Sequence, residues 1–137
     1  MNLIGRILRI CGGNKDNRLH NLIEDGGILM TKVKIQPGPC NLETRVEAVS
    51  EDGMEVQVRI SSACESIAKM TEVLGDTWDA YEVCLGKPGT GPLYEYAKEH
   101  MPGHASCPAV AGIIKCIEVE CALALPKDAS ITFLKEE

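Results

Sequence analysis

Three stretches of the chain alternate strictly between apolar and polar side chains. Val33 and Ile35 alternate with lysine, and the same pattern recurs over residues 42–48 and 54–60. A period of two is typical of β-strands that bury one face and expose the other. The turn at residues 51–53, which contains a glycine, joins the second and third stretches as a hairpin. Because one face of this antiparallel sheet is dry, the rest of the chain must cover it.

The residues that follow the hairpin predict this cover. Ser62 and Glu65 fit a capping box, and glycines and prolines punctuate the apolar patterns that come after them. Helices are predicted from Ser62 to Gly75, from Asp76 or Thr77 through Leu85, from Leu93 to about His100, and from Pro108 through Ala124, with a last strand from Ile131 to Leu134. The predicted fold class is therefore α+β: an antiparallel sheet of about three strands, covered on one face by helices, with a long C-terminal helix.

Residues 1–29 differ from this pattern, and we expect them to be an N-terminal extension to a single domain over residues 30–137. Their apolar positions fit a short amphipathic helix that ends at Gly12-Gly13. Gly26-Gly27 can be encoded by a purine-rich ribosome-binding sequence, at a suitable distance before the codon of Met30. On this hypothesis the native protein begins at Met30, and residues 1–29 are not part of it.

Composition excludes several classes of function. The 137 residues suit one domain, and the net charge of −6 argues against nucleic acid or an anionic membrane as partner. No apolar run reaches the roughly 18 residues of a membrane span. Arg6 and Arg9 interrupt the first apolar stretch, so it does not resemble a secretion signal. The seven cysteines are an odd number, which indicates free thiols in a reducing, cytoplasmic compartment.

Three of these cysteines occupy special positions. Cys40 ends a Pro-Gly-Pro-Cys turn, Cys64 lies in the first turn of a predicted helix, and Cys107 immediately precedes Pro108 at the start of another. The free N–H groups and partial positive charge of a helix N-terminus favour thiolate, the form that binds metal or attacks sulfur. We predict that the three thiolates converge at one end of the domain and hold an iron–sulfur cluster or zinc.

Histidine is the candidate for a fourth ligand, because imidazole joins thiolates at zinc and at some iron–sulfur irons. His100 and His104 flank the approach to Cys107, and we favour His104. Cys121 falls on an apolar helix stripe and is predicted to pack in the core, about 140° around the helix from Cys116. The glycine-rich residues 86–92 lack the spacing of a phosphate loop and predict an ordinary turn.

The absence of an isolated carboxylate pair argues against acid/base hydrolysis, so a non-enzymatic scaffold or carrier is favoured over an enzyme. Two alternatives stay open at this point. In the first, Cys107 carries a persulfide in sulfur transfer. In the second, the chain is a structural or interaction domain whose thiols are simply buried.

The order of the predicted elements and the cysteine spacings of 64 − 40 = 24 and 107 − 64 = 43 resemble the NifU N-terminal/IscU family of iron–sulfur scaffolds. The resemblance covers roughly residues 33 to 124. It is carried by three motifs: Gly38-Pro39-Cys40, Ser61-Ser62-Ala63-Cys64-Glu65-Ser66-Ile67-Ala68, and Ser106-Cys107-Pro108-Ala109-Val110-Ala111 with Ile114-Lys115.

This resemblance implies a SufE/NifU-like fold and an assembly platform. Cys40, Cys64 and Cys107 would receive sulfur from a cysteine desulfurase, bind iron and pass the cluster to an acceptor, and a bridging cluster would pair two subunits as a homodimer. Two positions differ from the family pattern. Asn41-Leu42 stands where the family has Gly-Asp, and Ser106 stands where it often has His.

Overall fold

The computed structural model describes residues 30–136; the predicted N-terminal extension, residues 1–29, lies outside them. Within the described part, the strands are β1 (Thr31–Ile35), β2 (Thr44–Val49), β3 (Glu55–Ser62) and β4 (Thr77–Asp79). The helices are α1 (Glu65–Ala68), α2 (Met70–Leu74), α3 (Ala80–Cys84), α4 (Pro92–His100) and α5 (Ala109–Glu120). None of the helices in residues 30–136 is both long and apolar enough to span a bilayer.

The strands form one antiparallel sheet in the order β1-β2-β3-β4. Its inner face follows the period-two pattern: Val46 and Ala48 of β2 and Val56 and Val58 of β3 are buried, while the lysines of β1 point outward. The helices cover this inner face, with α5 across β1 and β2 and with α1 and α2 against β3. The predicted α+β class is confirmed.

Helix α5 runs antiparallel to β1. Near its start, Gly112 lies so close to the end of β1 that an added Cβ would stand 2.5 Å from two side-chain carbons of Ile35. At its other end, the Glu120 carboxylate accepts a hydrogen bond from the hydroxyl of Thr31, the first residue of β1 (2.8 Å). The start of α5 therefore lies at the end of the sheet where β1 finishes.

Glu120 is a buried carboxylate whose burial was not predicted from the sequence. Its side chain is 1% exposed, and its second oxygen accepts a hydrogen bond from the backbone N–H of Ser50 (2.9 Å). A buried carboxylate is tolerated only when hydrogen bonds replace its hydration. Here those bonds join α5 to the start of β1 and to the β2–β3 turn, which fixes the helix on the sheet.

The predicted start of the helix from Asp76 or Thr77 through Leu85 was wrong, because its first residues form the fourth strand and the helix itself is Ala80–Cys84. Thr77–Asp79 pairs with the start of β3, and the indole N–H of Trp78 donates to the carbonyl oxygen of Gly75 (2.9 Å). The cap moves to Asp79, whose carboxylate accepts from the N–H groups of Tyr81 and Glu82 at the start of α3. Pairing with β3 outweighed the local helix signal.

Three other boundaries differ from prediction. The helix expected from Ser62 to Gly75 is divided at Lys69 into the short α1 and α2. The expected capping box does not form, because the Ser62 hydroxyl belongs to β3 and lies 2.7 Å from that of Thr44. Residues 131–134 form no strand, so the described chain ends in an irregular segment after α5 rather than in the predicted strand.

Helix α5 ends at Glu120, earlier than predicted, through a Schellman motif at Ala122. The N–H of Leu123 donates to the carbonyl oxygen of Glu118 (2.8 Å), and the N–H of Ala122 donates to that of Val119 (3.2 Å). This motif requires a left-handed residue, and Ala122 has φ 62°. Glycine is the usual residue at this position, because a Cβ makes the left-handed conformation costly.

We therefore expect Ala122→Gly to raise the free energy of unfolding by about 0.5–1 kcal/mol, the relief of the left-handed alanine less the entropy cost of glycine. Denaturant unfolding measures the change. Ala111→Gly is the control, because Ala111 is exposed within α5 and the same substitution there should destabilise by about 0.5–1 kcal/mol. Destabilisation by both substitutions would contradict the assigned helix end.

Candidate functional site

The three predicted site cysteines lie at one end of the sheet. β1 finishes there at Ile35, β2 begins at Thr44, β3 finishes at Ser62, and α5 begins at Ala109, with Ile35 paired to Thr44 and Thr44 paired to Ser62. We call residues 36–43, 63–66 and 104–108 the cysteine end of the domain.

Cys40 occupies an exposed turn of the cysteine end. The N–H of Asn41 donates to the carbonyl oxygen of Gly38 (3.0 Å), which closes a turn with Pro39 and Cys40 at its centre. Residues 38–42 are all exposed, so no core contact fixes the Cys40 side chain. At about 3.3 Å per residue, Cys40 lies within roughly 13 Å along the chain of the first residue of β2.

Cys64 is held more firmly, at the N-cap of α1. Its N–H donates to the Ser62 hydroxyl (3.0 Å), and the N–H of Ala63 donates to the carbonyl oxygen of Glu43 (3.0 Å). These bonds tie the segment before Cys64 to the segment that follows Cys40. The thiol is half-buried and packs against the core. Because α1 has only four residues, its dipole contributes less to a Cys64 thiolate than a full helix would.

Tyr96 supports the position of Cys64 and was not identified from the sequence. Its ring is buried, its hydroxyl donates to the carbonyl oxygen of Ser66, and it stacks on His100 with ring centroids 4.5 Å apart. Burial raises the pKa of the Tyr96 phenol, so the hydroxyl stays protonated and remains a donor. The backbone two residues after Cys64 is thereby attached to α4.

Cys107 lies one residue before Pro108, the N-cap of the twelve-residue α5. Its thiol is half-buried against the core, and its N–H donates to the carbonyl oxygen of His104 (3.3 Å). The predicted place near a helix N-terminus is confirmed, and α5 is long enough to present a substantial dipole. His104, the predicted fourth ligand, is exposed in the segment leading to Cys107.

The other described cysteines lie away from the cysteine end. Burial, with the nearby Glu118 carboxylate, raises the pKa of the Cys84 thiol to about 12, and its sulfur lies 3.9 Å from the carbonyl oxygen of Ile114. Burial, with the Glu120 carboxylate, likewise raises the pKa of the Cys116 thiol to about 12. Cys121 is 3% exposed, as predicted for a core residue. Cys116 is also fully buried, because the buried face of α5 is wider than the predicted stripe.

The cysteine end is not a preformed metal centre in this conformation. Among residues 30–136, no group of three or more histidine, cysteine, aspartate or glutamate side chains is arranged to hold a metal ion. Cys40, Cys64 and Cys107 therefore share one end of the domain without forming a coordination sphere there.

Comparison with known proteins gives one match. The profile of a family of unknown function (DUF6951) matches residues 31–133, which include all four strands, all five described helices and the cysteine end. No curated protein and no solved structure matches the chain.

We expect the thiols at the cysteine end and the thiols with a raised pKa to be alkylated at different rates. At pH 8, iodoacetamide should modify Cys40, Cys64 and Cys107 well before Cys84 and Cys116, because a pKa of about 12 lowers the thiolate fraction on the order of a thousandfold relative to an ordinary thiol. Peptide mass spectrometry measures the rates, and the unfolded protein is the control, in which all sites should react alike. Modification of Cys84 or Cys116 in the folded protein as fast as Cys40 would contradict this division.

Proposed function

We propose that this chain, which belongs to the DUF6951 family, is a scaffold or carrier whose cargo is an iron–sulfur cluster or zinc bound by Cys40, Cys64 and Cys107. The proposal rests on one observation, the location of all three cysteines at the cysteine end of the domain. Three cysteines, separated by 24 and 43 positions, flank strand ends and a helix start that the sheet register and α5 bring together. His104 or an exogenous ligand would complete a four-coordinate site.

The distribution of burial among the thiols supports the same assignment. A carrier needs thiols that cargo can reach, and thiolate is the form that binds metal. Cys40 is exposed and Cys64 and Cys107 are half-buried, whereas Cys116 and Cys121 are buried and the pKa of Cys84 is strongly raised. Cys84 is half-buried like Cys64 and Cys107, but its raised pKa disfavours the thiolate that metal binding needs.

Loading requires the Cys40 turn to move, since the three sulfurs do not form a coordination sphere in this conformation. The turn is suited to that movement because residues 38–42 have no buried side chain. Cys64 and Cys107, both packed against the core, would act as the fixed ligands. A mobile third ligand is appropriate for cargo that must later be released.

The turn also bears on the likeness to the NifU N-terminal/IscU scaffolds. Asn41 has a left-handed φ of 56°, a conformation that glycine and asparagine adopt readily. Asparagine in place of the family's glycine therefore preserves the turn, but Leu42 removes the carboxylate that follows in the family. On this proposal the chain is a non-enzymatic cytoplasmic member of that superfamily, supplied by a cysteine desulfurase, serving a cluster acceptor and pairing as a homodimer around a bridging cluster.

A second candidate function is sulfur transfer on Cys107 alone. The observation in its favour is that no three-ligand group is preformed among residues 30–136, whereas single-thiol chemistry needs no convergence. In the transfer, the Cys107 thiolate attacks the outer sulfur of a donor persulfide. The sulfur–sulfur bond of the donor breaks, the donor leaves as a thiolate, and Cys107 becomes the persulfide, with no net oxidation.

The scaffold proposal predicts that protein purified without oxygen contains iron with sulfide, or zinc. Cys107→Ser should lower the bound metal by at least about tenfold, since serine does not replace a thiolate toward a soft metal. Cys40→Ser and Cys64→Ser should each lower it as well. Elemental and sulfide analysis of each variant measures the effect.

Cys84→Ser is the matched control, because Cys84 is also half-buried but lies away from the cysteine end. It should retain the metal, and unfolding curves should show that all four variants are folded. Metal content that is unchanged in the three site variants would disprove the scaffold.

The sulfur-transfer candidate predicts a different product. Incubation with a cysteine desulfurase and cysteine should add the mass of one sulfur atom to the peptide that contains Cys107, and Cys107→Ser should abolish the adduct while Cys84→Ser keeps it. Mass spectrometry under non-reducing conditions measures the adduct. Its absence from Cys107 in the wild-type chain would rule this candidate out.

A further inference from the structure

The outer face of the sheet, which points away from the helices, carries a cluster of basic side chains in the half toward the cysteine end. The cluster consists of Lys32 and Lys34 of β1, Arg45 of β2 and Arg59 of β3. All four are exposed, and the side-chain exposure is 66% for Lys32, 69% for Arg45 and 84% for Arg59. We call these four residues, together with Glu47 between them, the basic face.

The sheet register arranges the basic face in two adjacent rows. Lys34 stands directly opposite Arg45, and Lys32 and Arg59 stand on either side of Glu47. Side chains that face each other across two strands lie about 5 Å apart, and like charges in such a pair are destabilising. The row of Lys34 and Arg45 therefore places two positive charges together at a cost to the sheet.

Carboxylates offset only part of the charge of the basic face. The Glu47 carboxylate lies 3.9 Å from the Lys32 amine and 3.6 Å from the Arg59 guanidinium, so one negative charge serves two positive charges. The Arg45 guanidinium donates a hydrogen bond to the Glu43 carboxylate (2.7 Å). Two carboxylates thus stand against four cations.

Lys34 completes this imbalance. Among residues 30–136, no carboxylate forms an ion pair with it. The four cations and two carboxylates leave a local charge of +2, whereas the whole chain has a net charge of −6, so the remainder carries −6 − 2 = −8. A local positive patch on an otherwise negative protein attracts and orients a negatively charged surface.

We infer that the basic face docks an acidic segment of a partner protein. Charge complementarity identifies this occupant, because carboxylates of the partner would separate the opposed charges of Lys34 and Arg45. Nucleic acid fits less well. The one aromatic residue of the four described strands, Trp78, points inward, so the outer face offers no ring on which bases could stack. The charge of −8 on the remainder of the chain also repels a long polyanion.

The location of the basic face gives this docking a consequence for the cysteines. Lys34 is one residue from the end of β1, and Arg45 is the second residue of β2, so both border the turn that carries Cys40. A partner held there is placed beside the cysteine end. Transient complexes bury less than about 1,200 Å², so a patch of this size suits a partner that arrives and leaves.

Fluorescence anisotropy of a labelled peptide of about ten glutamates, added to the full reduced chain at low salt, tests this inference. The wild-type chain should bind the peptide, and binding should weaken as salt is raised, because salt screens exposed charges. Lys34→Glu combined with Arg45→Glu should raise the dissociation constant by at least about tenfold, since the reversed charges repel the peptide. Glu47→Gln should lower it about two- to threefold, because the central negative charge is removed.

Lys87→Glu combined with Lys127→Glu is the matched control. Both lysines are exposed outside the sheet, and the double substitution alters the net charge of the chain by the same amount. It should change the dissociation constant by less than about twofold. Unfolding curves show whether each variant is folded, and Lys34→Gln combined with Arg45→Gln, with a smaller loss of binding, replaces the reversed variant where that variant does not fold.

Chemical cross-linking locates the contact directly. A water-soluble carbodiimide joins carboxylates of the bound peptide to nearby lysine amines, and peptide mass spectrometry identifies the lysines. The peptide should be attached at Lys32 and Lys34 and not at Lys87 or Lys127.

Four results would overturn the inference. The first is a wild-type chain that does not bind the peptide, and the second is an equal loss of binding in the basic-face variant and the control. The third is tighter binding of an oligonucleotide of matched charge, lost in the same variant, which would assign the face to nucleic acid. The fourth is self-association that the same variant abolishes, which would assign the face to a second copy of this chain.

Docking and cargo binding can fail separately. The Cys40→Ser, Cys64→Ser, Cys107→Ser triple variant should bind the peptide as the wild-type chain does, because the basic face contains no cysteine. Loss of binding in this variant would contradict the inference, whereas loss of metal with binding retained concerns the cysteines alone.

Discussion

The packing of α5 across β1 and β2 determines which cysteines lie together at one end of this domain. Gly112 allows the helix to approach Ile35 closely at one end, and the Glu120 carboxylate bonds Thr31 and the Ser50 backbone at the other. Two contacts at opposite ends of a helix define its direction as well as its position. Because α5 runs opposite to β1, its N-terminus and Cys107 come to the end of the sheet that also carries Cys40 and Cys64.

Hydrogen bonding then gives the site cysteines unequal freedom. The Cys64 segment is attached on two sides, through Ser62 to the β2–β3 ladder and through Tyr96 to α4. Cys107 is fixed by the start of α5. Cys40 alone stands on a turn without core contacts. On the proposed function, a site with two fixed thiols and one movable thiol would close around cargo and open again at little cost to the core.

The sheet could be predicted from the sequence because its alternation reports burial directly: Val46, Ala48, Val56 and Val58 all face inward as the pattern requires. The turn at Cys40 and the helix start after Cys107 could also be predicted, because prolines and glycines mark them in the local sequence. Features that depend on tertiary partners were missed. Trp78 entered a strand because β3 offered a partner, and Ser62 bonded Thr44 instead of capping a helix. Glu120 could be buried because the Thr31 hydroxyl and the Ser50 N–H donate hydrogen bonds to its carboxylate. Whether distant thiols share an end of the domain depends on the direction of α5, which no local pattern encodes.

The proposed function depends on the ability of Cys40, Cys64 and Cys107 to bind one ion together. Titration of the reduced, metal-free protein with Co²⁺, followed by thiolate-to-metal charge-transfer absorption, tests it most directly. We expect a band that saturates at one ion per chain, with an intensity appropriate to three thiolates. This band should weaken in each of the three single serine variants and be retained in Cys84→Ser. A chain that develops no such band, or one whose band survives replacement of all three cysteines, would contradict it.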